Sequence, residues 1–227
     1  MLTQEKREAN KARYIELIKS ISLEGSNVEG FLNWLEKSDF FDAPASAKYH
    51  GSYPGGLCQH SLNVYDCLVQ LAAKFATRTE RNPFWTSELD ETAGPQYIET
   101  PAYSDDSLKL VALLHDISKT NFYEQYDRNV KNDEGAWVKV KEYRTRDAKD
   151  RFVYGSHEQN SEFMAHTFFP LSVEEASAIL HHHGGMSWDS AKDDIADVYS
   201  KFPLALLLHM ADMTATFLRE GHDEFDN

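Results

Sequence analysis

The stretch Ser107-Leu-Lys-Leu-Val-Ala-Leu-Leu-His-Asp-Ile-Ser-Lys119 carries more structural information than any other part of the chain. Leu108, Val111, Ala112 and His115 recur at three- and four-residue spacing, which places them on one face of a helix that Ser107 can cap. Asp116 lies about 100° further round, so two adjacent metal-binding side chains converge on one internal point. A carboxylate on so apolar a flank is costly to bury unpaired, and a metal ion is among the few partners that offset the cost. The plainer alternative is a helix end where Asp116 meets solvent and Lys119 forms an ordinary surface pair with it.

Working outward, residues of the same chemical kind sit on other apolar stripes. Leu57, His60, Val64, Leu68, Leu71 and Phe75 share the core-facing side of a helix that begins near Gly56. A lone histidine there is more often a hydrogen-bonded core residue than a ligand, so His60 gains meaning only from its company. Gly155 or Ser156 starts a helix with His157 in its first turn, followed by Phe163, Met164 and Phe168. Ser172 and Glu175 make a capping box for a helix that runs into His181-His182-His183-Gly184-Gly185, where periodicity alone does not choose among the three histidines. Pro203 opens a last long helix with Leu204, Leu208, Ala211, Asp212 and Ala215 on one face, and Asp212 there needs a cationic partner. Four histidines and two aspartates make a mixed nitrogen and oxygen donor set, suited to divalent transition metals rather than to a calcium cage or a thiolate zinc clamp.

The remaining segments read as packing and connection. Residues 4–21 form an amphipathic helix with Tyr14, Ile15, Ile18 and Ile21 inward, and Ser26 with Glu29 is a capping box for a second helix through Phe31, Leu32 and Leu35. Ala43 to Gly56 is a loop rich in turn formers. Ala136-Trp-Val-Lys-Val-Lys-Glu-Tyr143 and Arg151-Phe-Val-Tyr154 together predict a small β-hairpin near residues 136–154, beside the site. The expected fold is all-α, a helical bundle with that one inserted hairpin. A single domain is expected over 1–227, with helices of residues 1–45 packing on a metal-binding core at 49–219.

Composition narrows the function classes. The 227 residues are 41% apolar, enough to bury a core, and the formal net charge is −14. So acidic a chain repels polyanions and disfavours an extended nucleic-acid groove, whereas a small phosphorylated substrate is acceptable. The exception is the basic run Lys139, Lys141, Arg144, Arg146, Lys149 and Arg151, usually a solvated surface; Arg144 and Arg146 are its candidates for phosphate contact. Cys58 and Cys67, nine positions apart on one helix, are out of bridging range, and no apolar run is long enough for a leader or membrane span. A cytoplasmic protein with reduced thiols is expected.

The motifs His60, Leu113-Leu114-His115-Asp116-Ile117-Ser118-Lys119, a histidine pair before Gly184, and Leu208-His209-Met210-Ala211-Asp212 resemble the HD-domain superfamily of metal-dependent phosphohydrolases over roughly Tyr49 to Arg219. The likeness extends to a branch of uncharacterised bacterial and phage hydrolases through Ala43-Pro-Ala-Ser46, Tyr49-His-Gly51, Pro54-Gly-Gly-Leu57 and Gly155-Ser-His157-Glu158. The resemblance implies that His60, His115, Asp116 and Asp212 hold one metal, and that Asp116 bridges to a second held by His157 and His182. One departure is Ser118, where the family usually has glycine.

The activity so implied is hydrolysis of a phosphoester in a nucleotide or other small substrate, by water activated on one or two divalent ions of Mn, Fe, Ni, Co or Zn. Asp116, Lys119 and His183 are the expected catalytic residues, with Lys119, Arg144, Arg146 and His50 contacting substrate. His183 and His50 are the candidates for giving a proton to the leaving oxygen, against a plainer reading of each as a structural or exposed histidine. Three alternatives stand beside this: a phosphodiesterase of cyclic nucleotides or RNA ends, a di-iron oxygenase of the same superfamily, and a site that serves only binding or regulation.

Overall fold

Thr3 opens the first helix, α1 (Gln4–Lys19), by accepting a hydrogen bond from the Lys6 amide, and Tyr14 and Ile18 form its fully buried stripe. Ile21 is also buried but lies beyond the helix end. The Tyr14 hydroxyl donates to the Leu113 carbonyl at 2.8 Å, satisfying one of the unpaired carbonyls at the end of a later helix, just before His115. In this computed structural model the described residues are 2–81, 97–152, 155–186 and 194–220. The second helix, α2 (Val28–Glu36), is capped by Asn27, which accepts from the Gly30 amide. The Ser26–Glu29 box expected there is therefore replaced one residue later, because the short Asn27 amide reaches the same class of donor.

The loop from Ala43 to Gly56 folds tightly before α3 (Gly56–Phe75). Gly51 has φ +60°, and a Cβ on Gly56 would collide with the Gly51 carbonyl, so this close approach requires glycine. The turn brings the His50 ring to 4.7 Å from that of His60. Leu57, His60, Val64 and Leu68 are buried as the stripe predicts, but Leu71 is half-buried and Phe75 exposed, since the last turn of α3 passes the edge of the core.

Two antiparallel hairpins interrupt the helices among the described residues. One, β1 (Thr77–Arg81) with β2 (Tyr97–Pro101), corrects the expectation of a single hairpin. Thr77, Arg78 and Thr79 are exposed, and Thr77-Arg-Thr-Glu-Arg81 offers no apolar alternation to read. Residues 82–96, between these two strands, lie outside the described ones. In the other hairpin β3 (Tyr123–Lys131) pairs with β4 (Trp137–Thr145). The strand from Trp137 is the one expected, but its partner precedes it; Arg151 and Phe152 lie outside any strand, and residues 153–154 outside the described ones. Cross-strand charge pairs, Glu124 with Arg144 and Asp127 with Lys141, hold this register in place of an apolar face.

The central helix is α4 (Asp105–Leu114), in which every residue from Leu108 to Leu114 is buried. Its cap is Ser104, not Ser107: the Ser104 hydroxyl accepts from the Ser107 amide, and Asp105 and Asp106 favour the positive end of the helix. Ser107 instead donates to Glu175 Oε1 at 2.6 Å, tying α4 to α6 (Val173–Leu180). Between them lies α5 (His157–Phe168), capped by Ser156. The Ser172–Glu175 capping box of α6 is present as expected. Short α7 (Ile195–Lys201) leads to α8 (Pro203–Thr214), which runs on through a π turn at Ala215–Arg219. Helices α3, α4, α6 and α8 pack around one core that includes Leu68, Leu110, Ile179 and Leu208, and α5 closes one side of it. Both cysteines are buried and free, and no described helix is long and apolar enough to cross a membrane.

Candidate metal centre

The His-Asp pair stands where α4 stops. His115 keeps helical geometry as the last helical cap, and Asp116 turns away (φ −113°, ψ 14°) into a 3-10 turn over Ile117–Lys119. The offset expected from a continuing helix is thus produced by a change of helix type. Ser118 anchors this turn: its hydroxyl donates to the His157 carbonyl at 2.8 Å, and Ser161 donates to it at 3.0 Å. The departure from glycine therefore stitches the Asp116 turn to the first turn of α5.

His182 and His183 sit in the turn after α6, closed by Gly184 at φ +57°. A Cβ on Gly184 would meet the Tyr199 hydroxyl at 2.6 Å, so the chain reverses here only with glycine. Because the triplet is a turn rather than a helix, His182 and His183 approach each other, with ring centroids 4.3 Å apart. His181 hydrogen-bonds through Nδ1 to the Ser177 carbonyl.

Five imidazoles share one orientation. Nδ1 of His115 and of His182 faces the Ala112 and Ile179 carbonyls at 2.8 and 2.7 Å. His60 Nδ1 lies 3.1 Å from Glu220 Oε1, while His157 and His183 Nδ1 lie 3.3 and 3.0 Å from the two oxygens of Glu158. In a neutral ring an acceptor on Nδ1 fixes the proton there and leaves Nε2 as a lone-pair donor, the arrangement seen behind metal-bound histidines.

Those Nε2 atoms gather around Asp116. Its Oδ2 lies 3.5 Å from His115 and 3.7 Å from His60, and His60 Nε2 is 3.2 Å from Asp212 Oδ1. Its Oδ1 faces the other way, 3.4 Å from His157 Nε2 and 3.7 Å from His182 Nε2. Ligand atoms about 2.1 Å from one ion stand roughly 3–3.5 Å apart, so both groups have nearly the spacing of a coordination shell. Asp116 Oδ1, His157 Nε2 and His182 Nε2 are buried and have no hydrogen-bond partner. Three acceptors facing one another without a donor form an arrangement that a cation relieves and that a hydrogen-bonded core does not. The donor set thus fits divalent metal at both faces of Asp116, with His183 also within reach of the His157 and His182 face.

The electrostatics agree. Burial alone would raise the Asp116 carboxyl, but Lys119 and the surrounding histidines hold it well below the usual range. Lys119 Nζ donates to Asp116 Oδ2 at 2.6 Å, and that ion pair outweighs burial in raising the ammonium. Burial pushes His157 down to about 4 and His182 well below its ordinary value, leaving both neutral. His60 goes the other way: burial would lower it, yet Glu220 and Asp212 on either side raise it to about 10.

The structure therefore brings together His60, His115, Asp116, His157, His182, Asp212, Lys119 and His183, with the His50 ring tilted against that of His60. It does not bring Arg144 and Arg146 there. Arg144 donates to Glu124 Oε1 at 2.7 Å, and Arg146 donates to the Tyr123 carbonyl and lines a separate cavity with Arg7 and Asp42. Hairpin register, invisible in a basic run, decides this. Two carboxylates were given no role at the site by the sequence reading. Glu158, only 4% exposed, entered it solely as the end of the Gly155-Ser-His157-Glu158 likeness. Glu220 lies beyond α8, is held by Asn63 Nδ2 at 2.9 Å, and reaches His60 through a π turn that no sequence motif announces.

No curated protein and no solved structure matches this chain. A family model described as the HD domain matches residues 57–215, more than two thirds of the chain and the whole span from His60 to Asp212, and on that match the chain belongs to the HD-domain family.

Proposed function

We propose that this protein is a metal-dependent phosphohydrolase that cleaves the phosphoester bond of a nucleotide or another small phosphorylated substrate. Membership of a family whose members are generally metal-dependent hydrolases supports the reaction class. The observation that carries it to this chain is the unpartnered trio of Asp116 Oδ1, His157 Nε2 and His182 Nε2, opposite a second donor group of His60, His115 and Asp212. In this reading Asp116 would help to hold a divalent cation in each group, with His157 and His182 on one side and His60, His115 and Asp212 on the other. Such cations would supply water that ionises near neutral pH and would neutralise charge on the phosphoryl oxygens.

The chain's own residues do the rest. Lys119, buried beside Asp116 and kept charged by it, contacts a non-bridging phosphoryl oxygen as negative charge develops there. Water oxygen bonds to phosphorus as the bond to the leaving alcohol breaks, and the alcohol oxygen must take up a proton. His183 is better suited to deliver it than His50. Its ring is held by Glu158 with Nε2 3.9 Å from Asp212 Oδ2, whereas burial and neighbouring His60 push His50 down to about 4, neutral at working pH.

Elemental analysis of purified protein for Mn, Fe, Co, Ni and Zn, followed by assay against nucleoside monophosphates, a 2′,3′-cyclic nucleotide and bis-4-nitrophenyl phosphate, tests this reading. Release of phosphate from a monoester that stops with chelator and returns with added metal is the expected result. Oxygen uptake by an iron-loaded form with no phosphoester cleaved would replace hydrolysis by oxygenase chemistry.

A further inference from the structure

A cavity of about 450 Å³ opens beside the His60–Asp212 side of the centre, a size typical of small-molecule sites. His183 and Asp212 form part of its lining, and Tyr49, Met186, Met213 and Phe217 supply its apolar walls. Tyr49, Met186 and Phe217 are 81%, 64% and 63% exposed. Folding gains little from large apolar groups left in water, and a cluster of them at the mouth of a buried polar centre marks a binding surface.

Both aromatic residues are also linked to the reacting centre along the chain. Tyr49 is next to His50, whose ring lies 4.7 Å from that of His60, and Phe217 lies in the π turn three residues before Glu220, whose carboxylate holds His60 Nδ1. Both walls are thus attached by very short chain segments to groups in contact with one metal-facing histidine. Lys48, His50, Thr216 and Glu220 complete the lining, but aromatic faces and thioethers favour flat, polarisable ring systems over an aliphatic chain.

We infer that this cavity is a specificity pocket for a flat aromatic group on the alcohol half of the phosphoester, held against Tyr49 and Phe217, as a nucleobase would be in a nucleoside monophosphate. The inference rests on the phosphohydrolase reading for its phosphate half. The ring faces of Tyr49 and Phe217 grip any base by its flat face, so the pocket separates aromatic from aliphatic esters and tolerates different bases.

Manganese-loaded protein is compared on AMP, CMP and glycerol 3-phosphate, and adenosine alone is titrated by calorimetry. The expected result is a kcat/KM preference for both nucleotides over glycerol 3-phosphate that lies mainly in KM. Tyr49→Ala and Phe217→Ala should each reduce that preference and adenosine affinity roughly tenfold at unchanged manganese content, with Tyr49→Phe restoring both. Equal KM values for AMP and glycerol 3-phosphate, or a preference that survives both alanine variants, would overturn the pocket while leaving the hydrolase intact. If no ester is cleaved, the hydrolase reading fails separately, and adenosine binding still decides the pocket: loss in the two alanine variants supports it, and no binding at millimolar adenosine sinks it.

Discussion

Asp116 is the residue on which the two donor groups depend, because each of its oxygens faces a different set of imidazoles. Asp116→Asn keeps the shape but replaces one oxygen by an NH2 group and removes the charge. Bound metal should fall and turnover should drop about 10³-fold or below detection, as read by elemental analysis beside phosphate release. Lys119→Ala should act differently. Its ammonium competes for Asp116 Oδ2 in the metal-free chain, so the variant should hold metal at least as tightly as wild type while losing roughly 10²-fold in kcat. Metal loss in Lys119→Ala would show that the ammonium organises the donors instead. Glu220 tests the role of the groups behind the ligands: Glu220→Gln weakens the acceptor on His60 Nδ1 and should lower affinity for the first metal about 10- to 100-fold without changing the circular dichroism spectrum. Unchanged affinity in a calorimetric titration would reduce Glu220 to a packing residue.

At the level of elements, the centre is a junction of five segment ends and faces, and its precision rests on short links between them. Ser118 is one such link, joining the turn after α4 to the start of α5. Ser118→Ala removes a buried hydroxyl that donates to the His157 carbonyl and should destabilise the fold by about 1–3 kcal/mol in urea unfolding. It should also lower metal occupancy on the His157 side more than on the His60 side. Equal loss at both would argue against this link. The apolar periodicity of α3, α4 and α8 was legible because each buries a stripe of Leu, Val and Ala, and the Ser172–Glu175 box was legible because both partners carry side-chain hydrogen bonds. The β1–β2 hairpin was not, and of the other only the strand from Trp137 was, since β3 exposes most of its residues and is held by register and charge pairs rather than by a buried face. Capping at Ser104 and Asn27 was displaced by one neighbouring polar residue or a few, a choice that side-chain reach settles and composition does not.

Over the whole molecule, four histidines and two aspartates from distant positions become one cluster because every ligand-bearing face is also a core face. That coupling made His60, His115, Asp116 and Asp212 readable from apolar patterning, whereas His157 and the choice of His182 within its triplet came from the likeness to the HD domain; Glu158 and Glu220 were hidden because they lie at helix ends where no pattern runs. The same coupling ties global stability to protonation of the cluster. In the metal-free fold His50 and His157 are pushed down to about 4, and His115 and His182 are lowered as well, all chiefly by burial. The unfolded chain binds protons on these groups near pH 6.5, so below that pH it takes up more protons than the fold does, and stability declines between about pH 6.5 and 4. His60 acts in the opposite sense: raised to about 10, it contributes fully below pH 6.5 and loses that contribution as pH climbs toward 10. Chelated protein should therefore be most stable near neutrality, with a urea midpoint that falls both from pH 7 to 5 and from pH 7 to 9. Manganese should raise the midpoint at pH 7 by mass action on the folded form, and the gain should shrink toward pH 5 as the ligands protonate. A midpoint in chelator that holds constant from pH 7 to 5 would mean that the buried histidines are not kept neutral by the fold.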